Sequence, residues 1–147
     1  MATVRHLFRA PRRRLPMQEV AEARLVAEFG LEGCAHARRD NKRQVLLIDY
    51  ESLDAMQLEP GIIRENITTE GIAINAMPIG QRLRIGESLL EVSAVCTPCD
   101  QLEKIRPSLR REIRGRRGML CRVLESGVVR TGDRIERVAS EVALETS

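Results

Sequence analysis

The residues best placed for chemistry are the cysteines of Val95-Cys96-Thr97-Pro98-Cys99-Asp100-Gln101-Leu102. An apolar run ends there and a helical pattern begins, so Cys99 falls where a strand gives way to a helix. Backbone N–H groups at a helix start and neighbouring arginines both favour the thiolate over the thiol. A thiolate is a nucleophile and a soft metal ligand. The Cys-x-x-Cys spacing alone leaves three readings open: half a zinc site, a dithiol redox pair, or two unrelated thiols. Zinc needs two further ligands, for which Cys34 and His36 are the candidates, although Cys-x-His is not a common ligand spacing. A dithiol redox pair belongs among alternating strands and helices, whereas the sequence after Cys99 is rich in strands alone. Cys34 and Cys121 read as small buried residues.

Two other stretches stand out. His36 lies in Gly30-Leu31-Glu32-Gly33-Cys34-Ala35-His36-Ala37-Arg38-Arg39, which reads as a glycine- and arginine-rich loop. Arg64, Glu65 and Asn66 are three successive polar residues inside the apolar run 62–67. Strand alternation over that run puts Arg64 and Asn66 on one face and Glu65 on the other. An Arg beside an Asn suits an anionic, amide-rich ligand; an exposed edge strand is the plainer alternative.

The elements that must carry these residues are mostly short and β-like. Residues 4–8 read as a first strand, followed by a turn bounded by Pro11 and Pro16. Over 18–29 the residue types favour helix, but Ala21, Ala23, Leu25, Ala27 and Phe29 alternate, which favours strand. Residues 44–50 form an apolar strand and 51–58 a short helix closed by Pro60-Gly61. Further strands are expected at 62–67, 82–85, 89–95, 119–124, 128–130 and 134–138, punctuated by glycines. Leu102, Ile105, Leu109 and Ile113 have helical spacing, with Asp100 and Glu103 resembling a capping box and Pro107 placed to split the helix. The fold class is therefore mainly β, a barrel or partly open sheet with a few peripheral helices, over 1–138 as one domain with a tail from 139 to 147.

Composition narrows the function classes. The chain has 147 residues, enough for one domain with its own core. No apolar run nears the ~20 residues of a membrane-spanning helix. The aromatics are Phe8, Phe29 and Tyr50 only, which argues against nucleic-acid binding through base stacking. The net charge of +3 is too small to imply a nucleic-acid partner. Of the 24 cations, all but Lys42 and Lys104 are arginine; codon usage in a GC-rich genome explains most of them, although a guanidinium also grips phosphate in bidentate fashion. The first 18 residues carry five arginines and no acid. The strand at 4–8 speaks against a transit peptide, and there is no apolar signal-peptide core, so the expected setting is a reducing cytoplasm.

Taken in order, these stretches resemble the MOSC domain, named after the C-terminal region of molybdenum-cofactor sulfurases. The resemblance rests on Gly30-Leu31-Glu32-Gly33-x-Ala35-His36, Arg43-Gln44-Val45, and the whole of Gly61-Ile62-Ile63-Arg64-Glu65-Asn66-Ile67-Thr68-Thr69-Glu70-Gly71. It continues through Ile79-Gly80-x-Arg82-Leu83-Arg84-Ile85-Gly86, Pro98-Cys99, Gly115-Arg116-Arg117-Gly118-Met119 and Gly132-Asp133-x-Ile135. It implies a β-barrel-like fold with peripheral helices and a pocket for the molybdenum cofactor (molybdopterin). Cys99 matches the family's reactive cysteine, a molybdenum ligand in some members and a sulfur carrier in others. Arg64 and Asn66 match positions that hold the pterin and its phosphate, and His36 and Arg43 match motif positions near the same pocket.

The resemblance implies an oxidoreductase that reduces N-hydroxylated or related N–O compounds, small-molecule substrates, using an external electron donor. The alternatives are a sulfur or cofactor carrier that loads Cys99 from a sulfur donor protein, and a non-catalytic module stabilised by zinc. Family members usually carry Asp where this chain has Cys34. A chain of this length is expected to have no ferredoxin-type or pyridoxal-phosphate companion domain. Neither Lys42 nor Lys104 has a setting suited to a Schiff base with pyridoxal phosphate.

Overall fold

The computed structural model describes residues 1–12, 15–34 and 44–139. In chain order its strands are β1 (Thr3–Arg9), β2 (Gln18–Val20), β3 (Glu22–Val26), β4 (Gly30–Leu31), β5 (Val45–Asp49), β6 (Ile67–Glu70), β7 (Arg82–Ile85), β8 (Ser88–Val95), β9 (Met119–Glu125), β10 (Gly127–Arg130) and β11 (Ile135–Val138). Two short helices, α1 (Tyr50–Ala55) and α2 (Leu109–Glu112), and two 3-10 turns, at Ile74–Ala76 and Asp100–Lys104, complete the architecture.

Eight strands form one sheet in the order β11-β7-β8-β9-β5-β6-β1-β2, and β10-β3-β4 form a second. Every pairing is antiparallel except β5 with β6. The large sheet curls back on itself. Thr3 bridges Arg134, Val4 N donates to Asp133 O at 2.8 Å and Ile135 N donates to Ala2 O at 2.9 Å. The strand near one edge thus meets the turn that leads into the opposite edge strand, which leaves fewer open backbone groups. This is the mainly β, barrel-like fold expected from the sequence.

β5 explains how the core is divided. All five of its residues are buried. Val45 and Leu47 face the main core with Leu7, Leu25, Leu83, Leu90, Val92 and Cys121. Ile48 faces the other way, into a cluster with Leu53, Met56, Ile63, Leu102, Leu109 and Ile113 that docks the helices onto the sheet. A strand covered on both sides reads as an unbroken apolar run rather than an alternation. Truncating a residue such as Leu47 to Ala costs about 2–5 kcal/mol.

Several local expectations are corrected. The run 18–29 is not one strand: β2 ends at Val20, β3 begins at Glu22, and β4 returns beyond a turn containing Glu28 at φ 60°. Strand does not extend over 62–67 either. Residues 61–63 turn, Arg64 takes φ 67°, and β6 starts only at Ile67. A left-handed residue breaks the two-residue period, so Arg64 and Asn66 do not share a strand face. The helix expected through 102–113 is split at Pro107, as its ring requires, with Ser108 at φ 69° before α2. The capping box does not form. The Glu103 carboxylate instead accepts from Ser108 N and Arg110 N, both at 2.9 Å, and so caps α2. α1 starts one residue earlier than expected because Asp49 is its N-cap, accepting from Ser52 N at 3.0 Å, and it ends at Ala55, three residues short of the expected 58.

Of the C-terminal tail only Ala139 is described; 140–147 lie outside the described residues. The few aromatics have structural roles: Arg5 sits 3.6 Å above the Tyr50 ring, and Phe8 stacks on His6. No described helix is long and apolar enough to cross a membrane.

Candidate functional site

β8 delivers the cysteine segment. Its register against β9 slips between Val92 and Ala94, and the Ser93 hydroxyl donates to Leu120 O at 3.1 Å. Such a bulge bends a strand and re-aims its end. Beyond Val95 the chain stays extended, with Cys96 N donating to Gly118 O at 3.2 Å. Cys96 is buried beside Leu46 and Leu120, whereas Cys99 is exposed. Three residues of spacing therefore separate an apolar packing thiol from an accessible one. Cys99 precedes the 3-10 turn and its carbonyl accepts from Leu102 N at 3.1 Å.

A cavity of about 350 Å³ opens directly before Cys99 in the chain, lined by Asn75, Val95, Cys96, Thr97, Pro98 and four residues of the arginine-rich segment, Arg110, Arg114, Gly115 and Arg117. Arg117 is buried although it carries a full charge. Its Nη2 donates to Ile63 O at 3.2 Å, and its Nε and Nη1 find no partner among the described residues. Gly118 makes this placement possible: at φ 106° it lies so close to β5 that a Cβ would come within 2.5 Å of Leu47 O. Asn75 fixes the same turn, its Oδ1 accepting from Gly118 N at 3.0 Å. At the rim, Arg110 pairs with the exposed Asp100, while the exposed Arg114 side chain forms no ion pair among the described residues.

The residues 60–66 are built differently. Glu65 is fully buried; its Oε2 accepts from Gly61 N at 2.8 Å and from the Thr68 hydroxyl at 2.9 Å. Burial pushes its carboxyl above the usual range, opposed by these hydrogen bonds and by the Arg117 charge. Asn66 is also buried. Its Oδ1 accepts from Leu46 N at 3.1 Å, and its Nδ2 donates to Phe8 O at 3.3 Å and Cys34 Sγ at 3.4 Å. The amide therefore ties β1 to β5. The Arg64 guanidinium turns toward the N-terminal turn, with Nη1 donating to Leu15 O at 2.6 Å.

The sequence candidates thus separate. None of Cys99, Arg64 and Asn66 is among the residues lining the cavity; Cys99 follows directly in the chain on the lining residue Pro98. His36 and Arg43 lie outside the described residues, as does Lys42. Cys34 packs in the main core with its Sγ accepting from Ala10 N at 3.3 Å. Cys121 is wholly buried, and desolvation together with Glu91 pushes its thiol up to about 12. Among the described residues no cluster of three or more His, Cys, Asp or Glu side chains is arranged to hold a metal. Arg117 and Asn75 had no individual mark in the sequence. The available signal was Gly115-Arg116-Arg117-Gly118, two arginines between glycines just before a strand.

The family model of the MOSC domain matches residues 35–136. The chain belongs to the MOSC family. That family is associated with binding of the molybdenum cofactor. Solved structures share its fold. YuaD from Bacillus subtilis is 19% identical with a TM-score of 0.77, over 91% of this chain and 93% of that one. YiiM from Geobacillus stearothermophilus is 18% identical with a TM-score of 0.77, over 95% and 76%. YiiM from Escherichia coli is 23% identical with a TM-score of 0.67, over 92% and 70%. No curated protein is a significant match. At Cys34, where the resemblance led to the expectation of an Asp, the thiol accepts from the Asn66 amide.

Proposed function

We propose that this MOSC protein binds the molybdenum cofactor through Cys99 and reduces N-hydroxylated or related N–O compounds. The observation that carries the reading is an exposed Cys99 thiol following a cavity wall whose buried Arg117 has two nitrogens without a partner among the described residues. That donor set fits the group: a thiolate is a soft ligand suited to molybdenum, and unpaired guanidinium nitrogens suit an anionic, phosphate-bearing molecule. When bound, the cofactor supplies a two-electron redox centre. The chain's own residues then hold and orient. Cys99 provides the metal ligand. Arg117 would hold the anionic end; the sequence candidate Arg64 does not line the cavity and donates to Leu15 O, and His36 and Arg43, outside the described residues, stay candidates from the family resemblance. Asn66 works as a positioning residue, because its amide is already committed to Leu46, Phe8 and Cys34.

Reduction of an N–OH group consumes two electrons and two protons and releases water, so an external electron donor is required. The protein's setting is a reducing cytoplasm. The expected result is reduction of an N-hydroxylated amidine or base by cofactor-loaded protein with a chemical reductant, abolished by Cys99→Ser. Full activity in that variant would overturn the assignment.

The exposure of Cys99 also favours a second reading, in which it carries a persulfide received from a sulfur donor protein. Cyanide-labile sulfur on wild type and none on Cys99→Ser, with no molybdenum in either, would establish this reading in place of the first.

A further inference from the structure

We propose that the outer face of the segment 100–117 is a docking surface for an acidic electron-donor protein, placed next to Cys99, where the electrons for N–O reduction must enter. The distribution of charge carries the assignment. Of the chain's 24 cations and 21 acids, seven cations and three acids fall in 100–117. That surplus of four exceeds the +3 of the whole chain, so the rest of the protein is close to balance. Codon usage raises arginine throughout a chain and does not account for a surplus confined to one segment. The three acids are engaged within it: Asp100 pairs with Arg110, Glu112 pairs with Arg106 at 2.8 Å, and Glu103 caps α2. Lys104, Arg111, Arg114 and Arg116 form no ion pair among the described residues, and the first three of them are exposed.

The fold gathers these cations on one side. Leu102, Leu109 and Ile113 are buried in the cluster that docks the helices onto the sheet, which leaves Lys104, Arg111 and Arg114 to solvent. The patch adjoins the site: Asp100, the partner of Arg110, follows Cys99 in the chain, and Arg114 lines the same cavity as Pro98. Val95 on that wall is 57% exposed, an apolar spot at the margin of a basic field. An apolar spot with a charged rim is the anatomy of a protein interface. Electron-transfer encounters bury little area and depend on complementary fields that speed association and orient the donor. No aromatic residue lies in the segment, so it is poorly suited to stacking against nucleic-acid bases. For each N–OH group reduced, the donor gives up two electrons, solvent supplies two protons, and the N–O bond breaks with release of water. The identity of the donor rests on the reductase reading, whereas docking itself requires no cofactor.

Calorimetric titration of the purified protein at low ionic strength with a flavodoxin of net negative charge, an acidic FMN-carrying protein, tests the surface. Saturable binding that weakens as salt is added is expected. Lys104→Glu/Arg111→Glu should weaken it by about tenfold or more, the scale of electrostatic steering. Arg12→Glu/Arg137→Glu, an equal change of charge at exposed positions outside the segment, should leave it unchanged. No binding by wild type, equal weakening by the two double variants, or tighter binding of a short single-stranded oligonucleotide than of flavodoxin would overturn the assignment. Turnover of cofactor-loaded protein separates this surface from the reductase reading. With reduced flavodoxin as donor, Lys104→Glu/Arg111→Glu should lower kcat/KM for the donor by the same factor, and with dithionite it should leave the rate unchanged. Turnover with dithionite that is matched by charge-insensitive turnover with flavodoxin counts against the surface alone. Charge-dependent binding without turnover from either donor counts against the reductase reading and leaves the surface standing.

Discussion

In residues 60–66 the buried polar atoms are largely committed inside the protein. Asn66 serves Leu46, Phe8 and Cys34, and one oxygen of Glu65 serves Gly61 and Thr68, while its other oxygen has no partner among the described residues. Between Cys96 and Gly118 some polar groups are left over: an exposed thiol at Cys99, two Arg117 nitrogens with no partner among the described residues, and an Arg114 with no ion pair among them. Both stretches carry the polar side chains that suggest a binding site in a sequence. Only the second has buried donors without a partner among the described residues. A polar residue in an apolar run is therefore as often a brace as a ligand, and what decides is where its hydrogen bonds go.

The sharpest way to break this contrast is to cut the brace. Asn66→Ala removes an amide that joins β1 to β5 and leaves Leu46 N and Phe8 O without side-chain partners. The expected loss is about 2–5 kcal/mol of unfolding free energy in urea titrations. Less than about 0.5 kcal/mol would show that the amide is not structural.

The next effect is a pH dependence set by Glu65. Burial raises its folded-state pKa above the ordinary 4.5. The folded protein then holds a proton that the unfolded chain releases, so this group's contribution to stability falls as pH rises from about 4.5 through the folded pKa. The wild-type melting temperature should decline over that window relative to Glu65→Gln, in which the titration is absent. Parallel profiles for the two proteins would contradict the burial argument.

Thiol chemistry separates the regions again. In native protein at mildly alkaline pH a thiol reagent should label Cys99 quickly, while Cys121, wholly buried with its thiol pushed up to about 12, reacts only on unfolding. Rapid loss of Cys121 would mean that the β5–β9 pairing opens readily. The smallest effect belongs to Arg114→Ala, which should alter stability by less than about 0.5 kcal/mol because the side chain is exposed and forms no ion pair among the described residues.

How far the sequence could be read follows from the same contrast. The apolar run of β5, the strands at 82–85 and 89–95, and the break at Pro107 were legible because each is a local pattern. The position of Cys99 between strand and helical turn was legible for the same reason. The bend at residues 61–64 was not: a left-handed Arg64 carries no composition signal, and strand alternation carried through it misassigned the faces of Arg64 and Asn66. Arg117 stayed hidden because its burial depends on Gly118 approaching β5, a contact between residues about 70 positions apart that no local pattern reports. Glu103 illustrates the middle case, a correct helix-cap type assigned to the wrong helix.

The central claim, that Cys99 and its cavity hold the molybdenum cofactor, is tested most directly by the molybdenum content of protein purified from a cofactor-producing host, wild type beside Cys99→Ser. Near-stoichiometric molybdenum in wild type and its loss from a folded Cys99→Ser protein is the predicted result. Equal molybdenum in the two proteins, or stoichiometric zinc with no molybdenum in wild type, would contradict it.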